Sequence, residues 1–292
     1  MTRFIAELGS NHNRDLDRAL ALLDAAARAG AGAVKLQVFH VEDLFAPEVL
    51  AVREDLRARS AWELPLELLE PIARRCRELE VELGATPFGL WAIEALQPHV
   101  DFFKVASYEL LWHELIEKLA ETGKPLVISA GMATLPELDA AVAAAREAGC
   151  HELRLLHCVS GYPTPPEQCN LAAIAALRER YGCPVGWSDH SARAEVVRRA
   201  VRHWGASDVE LHVDLDGSGH EAGEHNWTPD RLSALIASLE DPGREPESAV
   251  ALDGNGVKRP MPIEAPDVAW RADPSDGLRP LLATRATLRQ KQ

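Results

Sequence analysis

Eight short polar stretches, each placed where an apolar run gives way to a helix-patterned segment, constrain this chain more than any other feature. They are Glu7–His12, Lys35–Gln37, Thr86–Phe88, Lys104–Glu109, Ser129–Met132, His157–Tyr162, Ser188–Ser191 and Glu210–Asp216. The preceding runs are apolar and often β-branched, as in Ala33–Leu36, Phe102–Val105 and Leu153–Leu156. The following segments have helical periodicity. In the first, Leu16, Ala19, Leu20, Leu23, Ala26 and Ala27 make one apolar face, with Asp15 placed to cap it and Gly30 to stop it. Strand, polar tip and helix alternate eight times. This is the pattern of an α/β protein of the (β/α)8 TIM-barrel class, in which the C-terminal ends of the strands converge on one site.

A chain of 292 residues with 47% hydrophobic content is enough for one such barrel, expected over residues 1–240. Two segments break the rhythm. Phe39–Leu64 is longer than a strand-to-helix connection needs and is expected to be a flap or small insertion. From Asp241 to Pro280 the pattern dissolves into Pro, Gly and charge, so residues 241–292 are expected to be an irregular C-terminal extension, wrapping the barrel or leading away from it. The formal charge of -14 argues against nucleic acid or an anionic membrane as partner but permits a local cationic pocket. The N-terminus enters a strand pattern without a basic leader, and no apolar run is long enough to span a bilayer, so a cytoplasmic location is expected. The five cysteines, Cys76, Cys150, Cys158, Cys169 and Cys183, lack metal-type spacing and are expected to be reduced thiols, with Cys158, inside a polar tip, either a small buried hydrophobe, the commoner role, or a reactive thiol.

The tips carry specific chemistry. Lys35 and Lys104 stand at strand ends, and hydroxyls at Thr86, Ser107, Ser129 and Ser188 stand at matching positions on other strands. Two ammonium groups and several hydroxyls converging on one point suit a phosphate, whose oxygens reward charge-assisted hydrogen bonds. The alternative is that the lysines pair with Glu7 and Glu109 merely to close the barrel top. His190 and His212 end strands 7 and 8, which are neighbours in a barrel, so both imidazoles can reach one divalent ion with positions left for water and substrate. The alternative there is a pair of hydrogen-bonded structural histidines. His12 and His157 are expected on the same rim, in a supporting or substrate-contacting role. Glu7, Glu109, Glu210 and Asp216 are candidate acid/base groups; crowded carboxylates raise one another's pKa and lysines lower it, which leaves the assignment open.

At these residues the chain resembles the N-acetylneuraminate (sialic acid) synthase family. The matching stretches are AELGSNHN (6–13), VKLQVF (34–39), TPF (86–88), KVASYEL (104–110), ISAGMAT (128–134), LHCVSGYPTP (156–165), GWSDHS (186–191) and VELHVDLD (209–216), collinear across all eight strands. The resemblance implies a phosphoenolpyruvate-dependent, C–C bond-forming transferase that condenses phosphoenolpyruvate with an aldose to give a 2-keto-3-deoxy sugar acid and phosphate. It implies phosphoenolpyruvate on Lys35, Thr86, Lys104, Ser107, Ser129 and Ser188, and a divalent metal on His190 and His212, Mn2+ foremost with Mg2+ or Co2+ as alternatives. It places the acceptor near Gln37, Phe88, Glu109, Ser160 and Tyr162, gives catalytic or supporting roles to Glu7 and Glu210, and allows a homodimer. A non-catalytic barrel binding a sugar acid or phosphate, and another metal-assisted aldolase, are the competing readings.

Three departures from the family pattern bear on the acceptor. Leu211 stands where a Lys is common beside the strand-8 histidine, and the loop 217–227 differs from the usual one. Tyr108 and Trp112 replace what are usually Gly and Asn, and are expected to reshape the sugar pocket toward a different aldehyde, smaller or with an apolar portion. Residues 241–292 read as the remains of a linker to the antifreeze-like domain that family members carry.

Overall fold

The structure, a computed structural model, describes residues 2–240 and 247–289. Residues 241–246 and 290–292 of the expected C-terminal extension lie outside the described residues. Eight parallel strands, β1 (Arg3–Gly9), β2 (Ala33–Val38), β3 (Glu82–Pro87), β4 (Phe102–Val105), β5 (Leu126–Ser129), β6 (Leu153–Cys158), β7 (Val185–Asp189) and β8 (Asp208–His212), close in sequential order into a barrel. Helices follow the strands as the periodicity predicts, from Leu16–Arg28, where Asp15 accepts the Arg18 N–H at 2.8 Å, to Pro229–Ser238.

The barrel interior explains where the chemistry sits. Ile5, Ala33, Phe102, Val127 and Leu156 form a separate apolar cluster that fills its floor. Gly84, the register partner of Phe102, makes room for the phenyl ring; a Cβ there would lie 2.2 Å from it. Side chains two residues apart on a strand share a face. The next inward layer is therefore Glu7, Lys35, Lys104, Ser129 and Cys158, one step above each floor residue. All five face the cavity described below.

The insertion after β2 folds into short helical turns at Val41–Leu44, Pro47–Leu50, Glu54–Arg57 and Ala58–Trp62. Phe39, Val41, Leu44, Phe45, Val49 and Leu56 bury one another against Phe88 at the end of β3. Trp270, Leu278 and Leu288 of the C-terminal segment pack on the same cluster. Backbone hydrogen bonds stitch the two segments together: Ala46 N–H donates to the Arg279 carbonyl at 2.8 Å, and Arg279 N–H to the Leu44 carbonyl at 2.9 Å. The described part of the extension thus wraps the barrel, and it buries Lys258, Glu264, Arg271 and Arg285 in doing so. No helix among the described residues is long and apolar enough to cross a membrane.

Candidate active site

A cavity of about 410 Å³ opens at the C-terminal ends of the strands. Of the residues singled out from the sequence, Glu7, Lys35, Gln37, Thr86, Phe88, Lys104, Ser107, Tyr162, Ser129, Ser188, His190, Glu210 and His212 line it. Glu109 and Ser160 stand behind the wall. Ser160 is held beside Ser107 by the glycine between them in space: a Cβ on Gly131 would come 2.3 Å from the Ser160 hydroxyl and 2.6 Å from that of Ser107.

Both lysines are buried. The Lys35 ammonium touches the Glu7 carboxylate and donates to the Thr86 hydroxyl at 2.8 Å. That of Lys104 donates to Ser129 Oγ at 2.6 Å and to the Val105 carbonyl at 2.8 Å, with Glu210 Oε1 3.9 Å away. Burial pulls Lys35 down to about 8, with Glu210 resisting and Lys104 assisting. Lys104 is lowered by burial too, again against Glu210. An arriving oxyanion would favour both ammonium forms. Glu7 is itself oriented at the bulge of β1, where its Oε1 accepts the Gly9 N–H at 2.7 Å.

Strand 7 ends on a rigid anchor for His190. The fully buried Asp189 carboxylate accepts from both indole N–H groups, Trp187 at 3.1 Å and Trp227 at 3.0 Å, and from the Ser191 hydroxyl at 2.6 Å. His190 Nδ1 lies 3.0 Å from the Val159 carbonyl, a contact in which the nitrogen must donate, so the neutral ring carries its lone pair on Nε2; burial lowers the His190 pKa, but Cys158 and the Val159 carbonyl outweigh it and draw it up. The His190 and His212 rings are 5.4 Å apart, and His225 is 5.0 Å from His212. Burial, then the neighbouring His190, hold His212 well below the ordinary imidazole range, hence neutral. Among the described residues, His212 Nδ1 and Glu210 Oε2 are buried without hydrogen-bond partners. This donor set fits a divalent ion. Among the described residues no three His, Cys, Asp or Glu side chains converge to hold one unaided, so water or substrate would complete the coordination.

Several expectations need correction. Trp112 is buried in the layer between barrel and helices, with Gly277 against its ring, where a Cβ would come within 2.5 Å. Only Tyr108 of that pair lines the cavity. His157 points outward, tilted on Trp187 with Nε2 2.9 Å from the Cys169 carbonyl, because it alternates with the inward Leu156 and Cys158. His12 is also away from the cavity, its Nδ1 accepting the Arg14 N–H at 2.9 Å. Asp216 is exposed and pairs with Arg18 at 3.0 Å. Glu109 pairs with neither lysine but with Arg279, while burial pushes its pKa up.

Sequence reasoning missed part of the wall. Arg59 and Trp62 come from the insertion, His220, Glu221 and His225 from the loop after β8, and Arg279 from the C-terminal segment. The loop residues follow the last tip directly and could have been placed on the rim. Arg279 lies in a stretch with no period to read. Cys158, a residue of a polar tip for which the hydrophobe was the commoner reading, is buried on the cavity wall 3.9 Å from His190 Nδ1.

Comparison with known proteins agrees with this geometry. The model of the NeuB family matches residues 22–243. An uncharacterized protein of Methanocaldococcus jannaschii is 35% identical over 268 residues, covering 90% of this chain and 75% of that protein. Pseudaminic acid synthase of Helicobacter pylori is 34% identical over 227 residues, covering 74% of this chain and 66% of the relative. The crystal structure of N-acetylneuraminic acid (sialic acid) synthetase from Leptospira borgpetersenii superposes with a TM-score of 0.76 at 30% identity, covering 91% of this chain and 90% of that one.

Proposed function

This chain belongs to the NeuB family, and from that premise we propose that it condenses phosphoenolpyruvate with an aldose, releasing phosphate and forming a 2-keto-3-deoxy sugar acid. One observation carries the reading: two buried lysines, each on a strand-end hydroxyl, share a cavity with two imidazoles at the mouth of the barrel. In a protein of net charge -14 such a placement of cations has a purpose, and a substrate phosphate and carboxylate supply it.

In this reading Lys35 and Lys104, with Thr86, Ser107, Ser129 and Ser188, hold the phosphoenolpyruvate. C3 of phosphoenolpyruvate attacks the aldehyde carbon, the carbonyl oxygen takes a proton to become a hydroxyl, and water adds at the cationic C2. That water gives up its proton, and the C–O bond to phosphate breaks as the ketone forms. His190 and His212 would hold a divalent ion, Mn2+ by first choice, which when bound polarises the aldehyde carbonyl. Glu7, beside Lys35, is placed to orient the aldose or move a proton at its carbonyl oxygen. Glu210, 3.9 Å from the Lys104 ammonium and level in register with Ser188, would orient the attacking water. The acceptor lies toward Gln37, Phe88, Tyr108 and Tyr162, with Glu109 and Ser160 supporting that wall from behind.

The test is incubation with phosphoenolpyruvate, Mn2+ and a panel of aldoses that includes N-acetylmannosamine, following phosphate. Release that requires an aldose supports the reading. No aldose-dependent release across the panel overturns it and favours a binding barrel or a different aldolase.

A further inference from the structure

The loop after β8 reaches the cavity through His220, Glu221 and His225, and it is held there from outside the barrel. Its first residues read D-x-D-x-S-G over 214–219, the spacing that opens a calcium loop. Here a side chain takes the place of the cation. Arg18, on the helix Leu16–Arg28, puts Nη2 2.7 Å from Asp214 Oδ1 and 3.0 Å from Asp216 Oδ1, while its Nε donates to the Asn11 carbonyl at 2.6 Å. The two carboxylates also hold the loop backbone: Asp214 accepts the Leu215 and Gly219 N–H groups at 2.9 and 3.3 Å, and Asp216 accepts that of Ser218 at 3.0 Å. The twelfth position of the motif, a chelating Glu in a calcium loop, is His225. The guanidinium is thus a built-in counter-ion of the loop.

The tip of β1 completes the grip. Asn11 donates to the Val213 carbonyl at 3.0 Å and accepts the Glu221 N–H at 2.8 Å. Asn13 donates to the Ser218 carbonyl at 3.0 Å and accepts the His220 N–H at 2.9 Å. The loop lies so close to the Asn11 amide that a Cβ on Gly219 would overlap its oxygen. Glu221 is fixed as a result. Its Oε2 accepts the Ser10 N–H at 2.9 Å and rests on Gly9, where a Cβ would collide with it. Its Oε1 makes no hydrogen bond among the described residues and is left to the cavity. Gln37, on the acceptor side in the reading above, lies beside the same glycine, its Nε2 3.6 Å from that Cβ position.

We propose that Arg18 is a positioning residue of the reaction: from outside the cavity it locks the loop after β8 onto the tip of β1, and so holds the free carboxylate oxygen of Glu221 against a hydroxyl of the acceptor aldose. The proposal rests on the condensing activity proposed above and adds a residue that fixes its acceptor. Without the guanidinium, buried Asp214 loses its counter-charge and repels Asp216, so the loop loosens and Glu221 moves with it. Phosphoenolpyruvate, held by residues of the strand ends, is untouched.

The experiment follows Arg18→Met, Arg18→Lys, Glu221→Gln and the double variant of Arg18→Met with Glu221→Gln. Phosphate release with phosphoenolpyruvate, Mn2+ and N-acetylmannosamine or mannose gives the acceptor KM, calorimetry gives the phosphoenolpyruvate Kd, and hydrogen exchange by mass spectrometry reports the amides of residues 218–221. Arg18→Met should speed exchange of those amides at least about tenfold and raise acceptor KM about tenfold, the size of one lost hydrogen bond to a charged group, with the phosphoenolpyruvate Kd within about twofold of the parent. Arg18→Lys should recover part of both. Glu221→Gln should raise acceptor KM by a similar factor with the loop still protected, and the double variant should add no more than about twofold to it, because Arg18 acts through that carboxylate. KM factors that multiply in the double variant, or an unchanged acceptor KM or loop exchange in Arg18→Met, overturn the proposal. Should Arg18→Met fail to fold, Arg18→Lys carries the same cycle. If the parent releases no phosphate with either aldose, the condensing function is what fails, and the calorimetric Kd of the two sugars replaces KM in the cycle that decides the role of Arg18.

Discussion

Glu264 offers the sharpest test of how the C-terminal segment supports the site. Its carboxylate is fully buried and accepts three backbone N–H groups: Met132 and Ser160 on Oε1 and Met261 on Oε2, each at 2.7 Å. It therefore joins the tips of β5 and β6 to the wrapping segment. Glu264→Ala strands three buried donors, each costing about 1–3 kcal/mol, and water entering the gap recovers part of the loss, which leaves about 3–6 kcal/mol. Lys258, buried nearby, also loses the charge that most favours its ammonium. At about 2 °C per kcal/mol for a chain of this size, Tm should fall by about 6–12 °C. Glu264→Gln keeps one oxygen for Met132 and Ser160 but turns an NH2 onto the Met261 N–H, for a loss of about 1–3 kcal/mol, or roughly 2–6 °C. Thermal melts by circular dichroism should rank parent, Gln and Ala in that order. An Ala variant that melts within about 1 °C of the parent would refute the argument that this carboxylate ties the segments together.

The remaining predictions concern pH, the aromatic pair and the metal. With Lys35 drawn down to about 8, raising the pH through 8 removes its ammonium, so the Kd of phosphoenolpyruvate should weaken about tenfold between pH 7 and 9; a flat profile by calorimetry would count against Lys35 as an anion ligand. For folding, the sign is opposite: between about 8 and the usual 10.5 the unfolded chain binds the extra proton, so the Lys35 contribution to stability rises with pH across that window. Trp112→Ala should cost about 3–5 kcal/mol of stability by opening a buried cavity, with acceptor KM unchanged; a KM shift without a Tm shift would return Trp112 to the pocket. His190→Ala and His212→Ala should each lower Mn2+ affinity and abolish turnover, whereas Ala at the exposed His151 and His203 should do neither; Mn2+ titrations of all four decide it.

What was legible in the sequence was what obeys a local period. Inward positions recur every second residue, so the pairs Phe102 and Lys104, Val127 and Ser129, and Ile5 and Glu7 announce floor and site together, and eight such strands identify the barrel. The same rule, carried through consistently, would have sent His157 outward and Cys158 inward. Trp112 misled because nearness in sequence to Tyr108 was taken for nearness in space; it precedes the helix His113–Glu121 and turns beneath Gly277. Arg279 was invisible for a deeper reason. Its partner Glu109 lies 170 positions away, and its place depends on two hydrogen bonds to an insertion whose docking no periodicity encodes.

The most direct test of the condensing mechanism follows one oxygen. Phosphoenolpyruvate labelled with heavy oxygen in the bridge between C2 and phosphorus is turned over with Mn2+ and a competent aldose, and the released phosphate is weighed by mass spectrometry. Attack by C3 followed by addition of water at C2 breaks the C–O bond, so the phosphate should carry the label, in amounts equal to the sugar acid formed. Unlabelled phosphate would mean cleavage at phosphorus, and release that proceeds without any aldose would mean hydrolysis uncoupled from C–C bond formation; either would contradict the account.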